Sequence, residues 1–291
     1  PFRTFTCPAH PAIRLALLQG GKAIRLREEF APDAIHIATE GPLGLSARRW
    51  CLRNRFPFST SYHTRFPEYL KMFFRLPAGP TYAYLRWFHR PSSGVLVPTP
   101  SIGDELKRRG FANINTWTRG VDTDLYIPRP DEMPELARPV WMYVGRVSVE
   151  KNLDAFLSLD LPGSKVVVGD GPYLERLKRR FPSVVFTGYR RGEALARAYA
   201  AASVFVFPSL TDTFGVVMIE AMACGVPVAA LPVSGPIDVV LHGETGWLSH
   251  DLREACMKAL EMSPQRCREH ASGYSWEETA RRFLGNLAAR G

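Results

Sequence analysis

Charged residues in two loops of the second half of the chain have the types and the spacing needed to bind a diphosphate. The first loop, Gly145-Arg146-Val-Ser-Val-Glu150-Lys151, follows an apolar run and holds two cations. Arginine forks onto phosphate oxygens and lysine acts as a point charge, so the pair can neutralise a diphosphate without a metal ion. Solvated surface cations would look the same in sequence, and this loop alone leaves both interpretations open.

The second loop leads into a predicted helix that begins near Phe214-Gly215. It runs Pro208-Ser-Leu-Thr-Asp212-Thr-Phe214-Gly215, and Glu220 follows about one and a half turns into the helix. The N–H groups and the positive dipole end of a helix start favour anions, and glycine lets the backbone approach a ligand closely. Asp212 and Glu220 can accept hydrogen bonds from sugar hydroxyls. An N-capping aspartate and a surface glutamate are the alternative interpretation.

The pattern of the second half predicts that both loops lie at one edge of a sheet. Short apolar runs rich in β-branched and aromatic residues alternate there with helical patterns. The predicted strands are Val140–Val144, Val166–Val168, Val184–Phe186, Val204–Phe207 and Val228–Leu231. The predicted helices are Asn152–Leu159, Tyr173–Arg180, Glu193–Ala201, Val216–Cys224 and Ile237–Leu241. Apolar strands linked by helices indicate a parallel, doubly wound α/β sheet, in which ligands gather beyond the carboxyl ends of the strands.

The first half has a similar but less regular pattern. The predicted strands are Ala34–Ile37, Phe58–Ser61, Gly94–Val97 and Ile114–Trp117, and the predicted helices are Gly44–Arg53, Pro80–Arg90 and Ser101–Arg109. We expect Ser101 to be the N-cap of the last of these helices, with Asp104 three residues on. Prolines and acidic residues without periodicity then predict a linker over residues 121–138. The expected domains are residues 1–120 and 139–272, followed by a terminal helical segment, 273–291.

Charge is distributed unevenly between the two halves. The chain has 291 residues and a net charge of +9, with 18 Lys and Arg against 7 Asp and Glu in residues 1–121, and 19 against 21 in the remainder. No recognised nucleic-acid-binding module accompanies the positive surplus, so we expect no nucleic-acid partner. Five widely spaced cysteines (Cys7, Cys51, Cys224, Cys256 and Cys267) argue against a disulfide framework or a zinc site and favour a reducing, cytoplasmic setting.

The quoted motifs resemble glycosyltransferase family 4. The donor half of that family carries G-R-x(3)-E-K-N, which matches Gly145–Asn152 here, then G-D-G-P at Gly169–Pro172, and E-x(7)-E with F-G inside it at Asp212–Glu220. The first half of the family is similar to Tyr62-His63-Thr64-Arg65-Phe66-Pro67-Glu68-Tyr69 and to Arg119–Asp122, and its end is similar to Tyr274–Glu277. The combination is most similar to the bacterial branch of GDP-mannose-dependent α-mannosyltransferases and sulfoquinovosyltransferases.

The resemblance implies a GT-B fold, with two Rossmann-like, doubly wound domains facing a cleft, and transfer of a hexose from a nucleotide diphosphate sugar with retention of configuration. By matching position, Arg146 and Lys151 would grip the diphosphate and Asp212 and His63 the sugar. The implied donor site also includes Gly145, Thr213, Phe214, Gly215, Val216 and Glu220, the last on the ribose. No cofactor or metal is expected. GDP-mannose is the expected donor, a UDP-sugar is the alternative, and the acceptor is expected to be a lipid or a glycan.

Two departures from the family pattern bear on activity. Asp212 stands at the first position of E-x(7)-E, and no counterpart of the family's opening strand and Gly-rich loop is evident before Ala34. We therefore expect a chain whose natural start is missing, and a non-catalytic nucleotide-sugar-binding protein or inactive fragment is the alternative function. Asp122-Thr-Asp124 spells the metal motif of the other major glycosyltransferase fold, but it follows no apolar strand.

Aromatic residues and cations alternate between Tyr62 and Arg90. The nine aromatics are Tyr62, Phe66, Tyr69, Phe73, Phe74, Tyr82, Tyr84, Trp87 and Phe88, and Arg48, Arg49 and Arg53 precede them. Aromatics beside cations suit the surface of an anionic bilayer, whereas aromatics that line a core would give the same composition. We expect peripheral docking on the inner face of a membrane.

Overall fold

The computed structural model describes residues 4–7, 10–16, 29–130, 133 and 135–288. The chain divides into two compact units: residues 1–117 with 281–291 form the first, and residues 118–280 form the second. Most of the predicted linker, 121–138, is described, and it belongs to the second unit, where Val121, Tyr126 and Met133 are buried in the core. Glu132, Asp131 and Pro134 of that segment lie outside the described residues.

A parallel four-stranded sheet forms the centre of the first unit. An antiparallel pair, β1 (Thr4–Cys7) and β2 (His10–Ala16), comes before it, where no strand was predicted. The sheet contains β3 (Ile35–Ile37), β4 (Phe58–Ser61), β5 (Gly94–Val97) and β6 (Ile114–Thr116), paired in that order. The helices are α1 (Pro42–Arg53), α2 (Phe66–Phe74), α3 (Ala78–His89) and α4 (Pro100–Arg108). Every residue of β4 and β5 is buried, which explains their apolar or small side chains.

The N-terminus of α4 corrects one prediction. Thr99, and not Ser101, is the N-cap, and its hydroxyl accepts a hydrogen bond from the Ile102 N–H at 3.4 Å. Pro100 occupies the first helical position because proline lacks only an N–H that would have no partner in the helix. Ser101 therefore lies inside the first turn.

Arg48 corrects a second prediction, because it is buried in the first unit and does not face outward. Its guanidinium donates to the carbonyls of Phe88 at 2.9 Å and Trp87 at 3.0 Å, at the end of α3, and lies 4.0 Å from the centre of the Trp87 ring. The carbonyls of the last turn of a helix favour a cation. Burial lowers the pKa of Arg48. Its neighbours Arg49 and Arg53 are exposed.

The aromatic segment of the first unit divides between core and surface. Tyr62, Tyr82 and Phe88 are buried, so the membrane interpretation is wrong for these three side chains. Phe66 and Trp87 are about half exposed, at 48% and 52%. The side chains of Tyr69, Phe73 and Phe74 lie outside the described residues.

A six-stranded parallel sheet forms the second unit, in the order β12-β11-β10-β7-β8-β9. Its strands are β7 (Val140–Val144), β8 (Ser164–Val168), β9 (Val185–Gly188), β10 (Val204–Phe207), β11 (Val228–Ala230) and β12 (Gly246–Leu248). The helices are α5 (Leu153–Leu157), α6 (Leu174–Arg180), α7 (Gly192–Ala200), α8 (Val216–Ala223), α9 (Pro236–Val239), α10 (Leu252–Ala259), α11 (Pro264–Ser272) and α12 (Trp276–Gly285). The last of these begins in the second unit and ends among residues grouped with the first.

The strand order gives the second unit a topological switch point. The chain starts at β7 in the middle, moves outward through β8 and β9, and returns to β10 on the other side of β7 before continuing to β11 and β12. In doubly wound sheets, ligands bind in the crevice at the carboxyl ends of the two strands where the order reverses. Here those strands are β7 and β10, and the two candidate loops follow them.

Within the described ranges, every helix is too short or too polar to traverse a bilayer. Cys51, Cys224, Cys256 and Cys267 are buried free thiols, and the side chain of Cys7 is not described.

Candidate functional site

The two charged loops meet at the switch point of the second unit. β7 and β10 are paired in parallel, with Val204 opposite Trp141 and Phe205 opposite Met142, so their carboxyl ends lie side by side. The side-chain amide of Asn152, which follows the first loop, donates to the carbonyl of Pro208 in the second loop at 3.1 Å. Asn152 is the last residue of the G-R-x(3)-E-K-N motif, and no role for it was predicted.

Lys151 and Asp212 form an ion pair between the two loops. The Lys151 Nζ lies 2.8 Å from Asp212 Oδ2, and the two side chains are only 20% and 18% exposed. The other carboxylate oxygen, Oδ1, accepts the N–H of Thr213 at 2.9 Å. Asp212 is therefore held by a cation and a backbone donor, and it does not cap α8.

The first loop rests on the Gly169–Pro172 loop, backbone against backbone. Gly145 donates its N–H to the Val168 carbonyl at 3.0 Å and has φ +147°, while Gly169 has φ +149°. A Cβ on Gly169 would lie 1.9 Å from the Gly145 carbonyl oxygen, so no larger residue fits. Val147 donates its N–H to the Asp170 carbonyl of this loop at 2.9 Å, and its own carbonyl accepts the N–H of Tyr173, just after the loop, at 3.1 Å. The Gly169–Pro172 motif thus supports the backbone of the loop that carries Arg146 and Lys151.

The side chain of Arg146 is exposed, and its backbone is fixed. Its carbonyl accepts the Tyr143 hydroxyl at 2.9 Å. Burial raises the pKa of Tyr143 well above its usual range, so the phenol remains a donor at neutral pH. The Tyr143 hydroxyl therefore holds the backbone of the turn that carries the exposed Arg146 side chain.

The start of α8 matches the prediction. Gly215 occupies the N-cap position with φ +83°, a conformation that favours glycine, and it has no side chain with which to cap the helix. Phe214 beside it is buried, with its ring 5.9 Å from that of Tyr274. The N–H groups from Val216 onward are the kind of donors that bind anions at helix starts.

Glu220 is partly buried inside α8, contrary to its alternative interpretation as a surface residue. The hydroxyl of Tyr199, on α7, donates to Glu220 Oε2 at 2.8 Å. Burial raises the pKa of Glu220, and the hydrogen bond from Tyr199 and the nearby hydroxyl of Tyr126 oppose that rise. The sequence motif did not reveal either tyrosine, because both are distant from Glu220 along the chain.

His63 belongs to the first unit, where it follows β4. Its ring packs against Trp117 at 5.8 Å between centroids, and Trp117 packs in turn against Phe283 of α12 at 4.7 Å. Trp117 was predicted only as the end of a strand. The Trp117 ring is thus an aromatic neighbour of the His63 imidazole.

The Asp122-Thr-Asp124 sequence forms a turn. The carboxylate of Asp122 accepts the backbone N–H groups of Asp124 at 3.1 Å and Leu125 at 2.9 Å. Among the residues that the structure describes, no group of three or more His, Cys, Asp or Glu side chains could hold a metal ion.

Sequence relatives of the chain are glycosyltransferases. Residues 1–125 match the family described as Glycosyltransferase Family 4, and residues 138–262 match Glycosyl transferases group 1. The chain is 31% identical to a GDP-mannose-dependent alpha-mannosyltransferase of Mycobacterium tuberculosis, over 92% of this chain and 76% of the relative. It is 32% identical to a sulfoquinovosyl transferase of Arabidopsis thaliana, over 94% of this chain. The match spans only 60% of the length of that plant protein.

Solved structures share the fold. A sucrose-phosphate synthase from Thermosynechococcus elongatus superposes with a TM-score of 0.77 over 97% of this chain and 84% of that protein, at 23% identity. The Anabaena protein HepE in complex with UDP superposes with a TM-score of 0.73 over 91% of this chain and 80% of that protein, at 18% identity. Taken with the sequence relatives, these matches show that the chain belongs to glycosyltransferase family 4 and has the GT-B fold.

Proposed function

We propose that the chain is a retaining, metal-independent hexosyltransferase that moves a sugar from a nucleotide diphosphate carrier to a hydroxyl group. The observation that carries this proposal is the meeting of two loops at the switch point between β7 and β10, where Lys151 pairs with Asp212 at 2.8 Å. Cations, a helix start and hydroxyl-accepting carboxylates are together at that edge. A nucleotide sugar needs all three.

In the proposed complex, Arg146 and Lys151 neutralise the diphosphate, and the N–H groups of Gly215 and Val216 complete its binding. Preorganised charges and dipoles aimed at a leaving group stabilise the charge that develops on it. Lys151 then lies between the diphosphate and Asp212. The Asp212 carboxylate accepts hydrogen bonds from hydroxyl groups of the sugar. The Glu220 carboxylate accepts hydrogen bonds from hydroxyl groups of the ribose.

The proposed reaction exchanges one bond at the anomeric carbon for another. The bond from that carbon to the diphosphate oxygen breaks, the acceptor hydroxyl forms a bond on the same face, and its proton passes to the departing phosphate oxygen. No protein nucleophile is required. His63 is proposed to contact the donor sugar, since its motif matches that position in the family.

GDP-mannose is the proposed donor. Support comes from relatives named as GDP-mannose-dependent mannosyltransferases, at 31% identity in two species. A UDP-sugar is the alternative, because the Anabaena structural neighbour binds UDP.

A lipid or lipid-linked glycan at the inner face of a membrane is the proposed acceptor. The exposed side chains of the first unit include Phe66 and Trp87, together with Arg49 and Arg53. An open cavity of about 340 Å³ beside Trp87 is lined by Arg86 and Arg90. Aromatic groups beside cations suit the interface of an anionic bilayer.

The proposal is tested by calorimetry with a panel of nucleotide sugars, followed by a transfer assay on the ligand that binds. We expect binding of one nucleotide sugar in the presence of chelator, and release of its nucleoside diphosphate when acceptor is added. Binding without release would support the non-catalytic alternative. Activity that is lost in chelator and restored by manganese would refute metal independence, and no binding at all would refute the proposal.

A further inference from the structure

Two phenols surround the carboxylate of Glu220. Tyr199 is completely buried, and its hydroxyl lies 2.8 Å from Glu220 Oε2. Tyr126 is also buried, and its hydroxyl lies close enough to the same carboxylate to lower its pKa. The two rings pack edge to face, with centroids 5.8 Å apart. This arrangement holds the carboxylate in one orientation.

Arg268 fixes Tyr126 relative to the helix that carries Glu220. From α11, its guanidinium donates to the carbonyls of Tyr126 and, at 2.6 Å, Thr123, and it reaches Ala223 at the end of α8 at 2.9 Å. One side chain therefore joins the segment that was predicted to be a linker to the helix of the donor site. The segment is part of the structure that positions Glu220.

We propose that Tyr199, with Tyr126 packed against it, is a positioning residue that orients the Glu220 carboxylate toward the ribose hydroxyls of a nucleotide. The inference rests on the proposed function, since it takes a nucleotide as the ligand. A carboxylate has about four lone-pair sites, so the hydrogen bond from Tyr199 leaves room for ribose hydroxyls. A carboxylate that is already oriented as a hydrogen-bond acceptor loses less conformational entropy when the ligand binds.

The charges around Glu220 make the phenols important for its ionisation. At the C-cap of α8, burial raises the pKa of Cys224 to about 12, so this neighbour is a neutral thiol at pH 7. Arg129 and Arg268 lie close enough to Cys224 to act on its charge, but Arg129 pairs with Glu193 and Arg268 with backbone carbonyls. The hydrogen-bonded partner that favours the ionised carboxylate is thus the Tyr199 hydroxyl, with the Tyr126 hydroxyl nearby.

The sign of the effect follows from these contacts. Burial raises the pKa of Glu220, and the tyrosine hydrogen bonds lower it. Tyr199→Phe removes one hydrogen bond and keeps the ring in the core, so the pKa of Glu220 rises further. Binding that needs the carboxylate is then lost at a higher pH as the solution is acidified.

The experiment measures affinity for a nucleotide sugar between about pH 5 and pH 8. A diphosphate that is esterified at both ends lacks the ionisation near pH 6 of a phosphate monoester, so the ligand itself does not titrate in this range. For Tyr199→Phe we expect about threefold to tenfold weaker binding at the upper end, the range of a typical intramolecular hydrogen bond, because Tyr199 acts on the ligand only by orienting Glu220, and an acid limb shifted to higher pH. An analogue of the nucleotide sugar that lacks the 2′ and 3′ hydroxyls of the ribose should bind this variant and the parent chain with the same affinity.

Tyr173→Phe is the matched control. Its hydroxyl donates to the carboxylate of Asp154 at 2.7 Å in the same unit, and neither residue has a proposed ligand. We expect this variant to keep the affinity and the acid limb of the parent chain. Glu220→Gln should bind weakly at every pH and show no acid limb.

A ligand-free measurement separates this inference from the proposed function. The free energy of unfolding is compared at low and neutral pH for the parent, Tyr199→Phe, Glu220→Gln and the double variant. Since the Glu220 carboxyl has a raised pKa in the folded chain, its contribution to the free energy of unfolding falls as pH rises. Tyr199→Phe should therefore lower the free energy of unfolding more at neutral pH than at low pH. In the Glu220→Gln background that cost should not depend on pH.

The outcomes are distinct. If no nucleotide sugar binds the parent chain, the proposed function and the ribose part of this inference both fail, whatever the unfolding data show. If the parent binds and Tyr199→Phe keeps the parent's acid limb and affinity, the inference is overturned while the function stands. A stability cost that is the same at all pH values would refute the role in ionisation.

Discussion

Lys151 and Asp212 neutralise each other across two loops, with 2.8 Å between Nζ and Oδ2. Asp212 therefore reduces the positive charge that Lys151 can present to a diphosphate. Because both members of the pair are largely shielded from water, their attraction is stronger than that of a surface ion pair. Each substitution at this pair changes the charge that its partner presents.

Arg146→Ala and Lys151→Ala should each weaken binding of the nucleoside diphosphate by about tenfold to a hundredfold, the range expected for hydrogen bonds to a charged group. Binding of the free nucleoside should change little, because neither side chain is assigned to the base or the ribose. The effect of Lys151→Ala should be larger, since it also leaves Asp212 without its cation beside the phosphates. Calorimetry with both ligands measures the difference.

Lys178→Ala is the control for these two variants, because Lys178 is an exposed cation of the same unit that pairs with Glu175 along α6. It should bind both ligands as the parent does. An equal loss of affinity for nucleoside and nucleoside diphosphate in the site variants would show that their charge assignment is wrong.

At the scale of elements, the donor loops depend on glycines that permit backbone contact between neighbouring turns. Gly169→Ala should destabilise the protein by about 3 kcal/mol or more, since its Cβ would meet the Gly145 carbonyl oxygen at 1.9 Å. It should also displace the first loop and weaken nucleotide binding. Chemical denaturation and calorimetry measure the two effects.

Gly188→Ala separates the steric clash from backbone strain. Gly188 ends the neighbouring strand β9 with φ +74°, and a Cβ there would have no neighbour within 4 Å. Its substitution should cost only about 1–2 kcal/mol, the conformational cost alone, and should leave nucleotide affinity intact. Similar losses for the two variants would argue against the contact between the two loops.

The buried strands of the second unit were predictable because each is a short apolar run between helical patterns. Val140–Val144 and Val204–Phe207 have the predicted bounds. β12 was missed, since its three residues begin with Gly246, which pairs too closely with Val228 to carry a side chain. Helix α10 was missed although its buried residues, Leu252, Ala255, Cys256 and Ala259, have helical spacing.

The contacts of the candidate site were less predictable than its motifs. The motif indicated that Glu220 matters, but its partners Tyr126 and Tyr199 come from other elements, which only the fold brings together. Arg48 was placed at the surface because sequence cannot show that the carbonyls at the end of α3 lie within its reach. Its spacing from the buried Gly44 and Cys51 on α1 was the available signal.

At the scale of the whole molecule, positive charge is concentrated in the first 121 residues, with 18 Lys and Arg against 7 Asp and Glu. We predict that the chain cosediments with vesicles that contain anionic lipid, that neutral vesicles do not retain it, and that salt releases it. The burial of Arg48 directs the substitutions to exposed cations at the end of α1 and just after it. Replacing Arg49, Arg53 and Arg55 together with glutamine should abolish cosedimentation.

A control variant with the same change of charge shows whether position matters as well as total charge. Arg176, Lys178 and Arg179 are exposed on α6 of the second unit, and their joint replacement with glutamine removes three positive charges there. If the surface of the first unit docks, this control should still cosediment, because the exposed cations of that surface are unchanged in it. Equal loss in both triple variants would reduce the effect to net charge. Equal recovery in the supernatant for every vesicle type would remove the charge-based argument for a lipid acceptor.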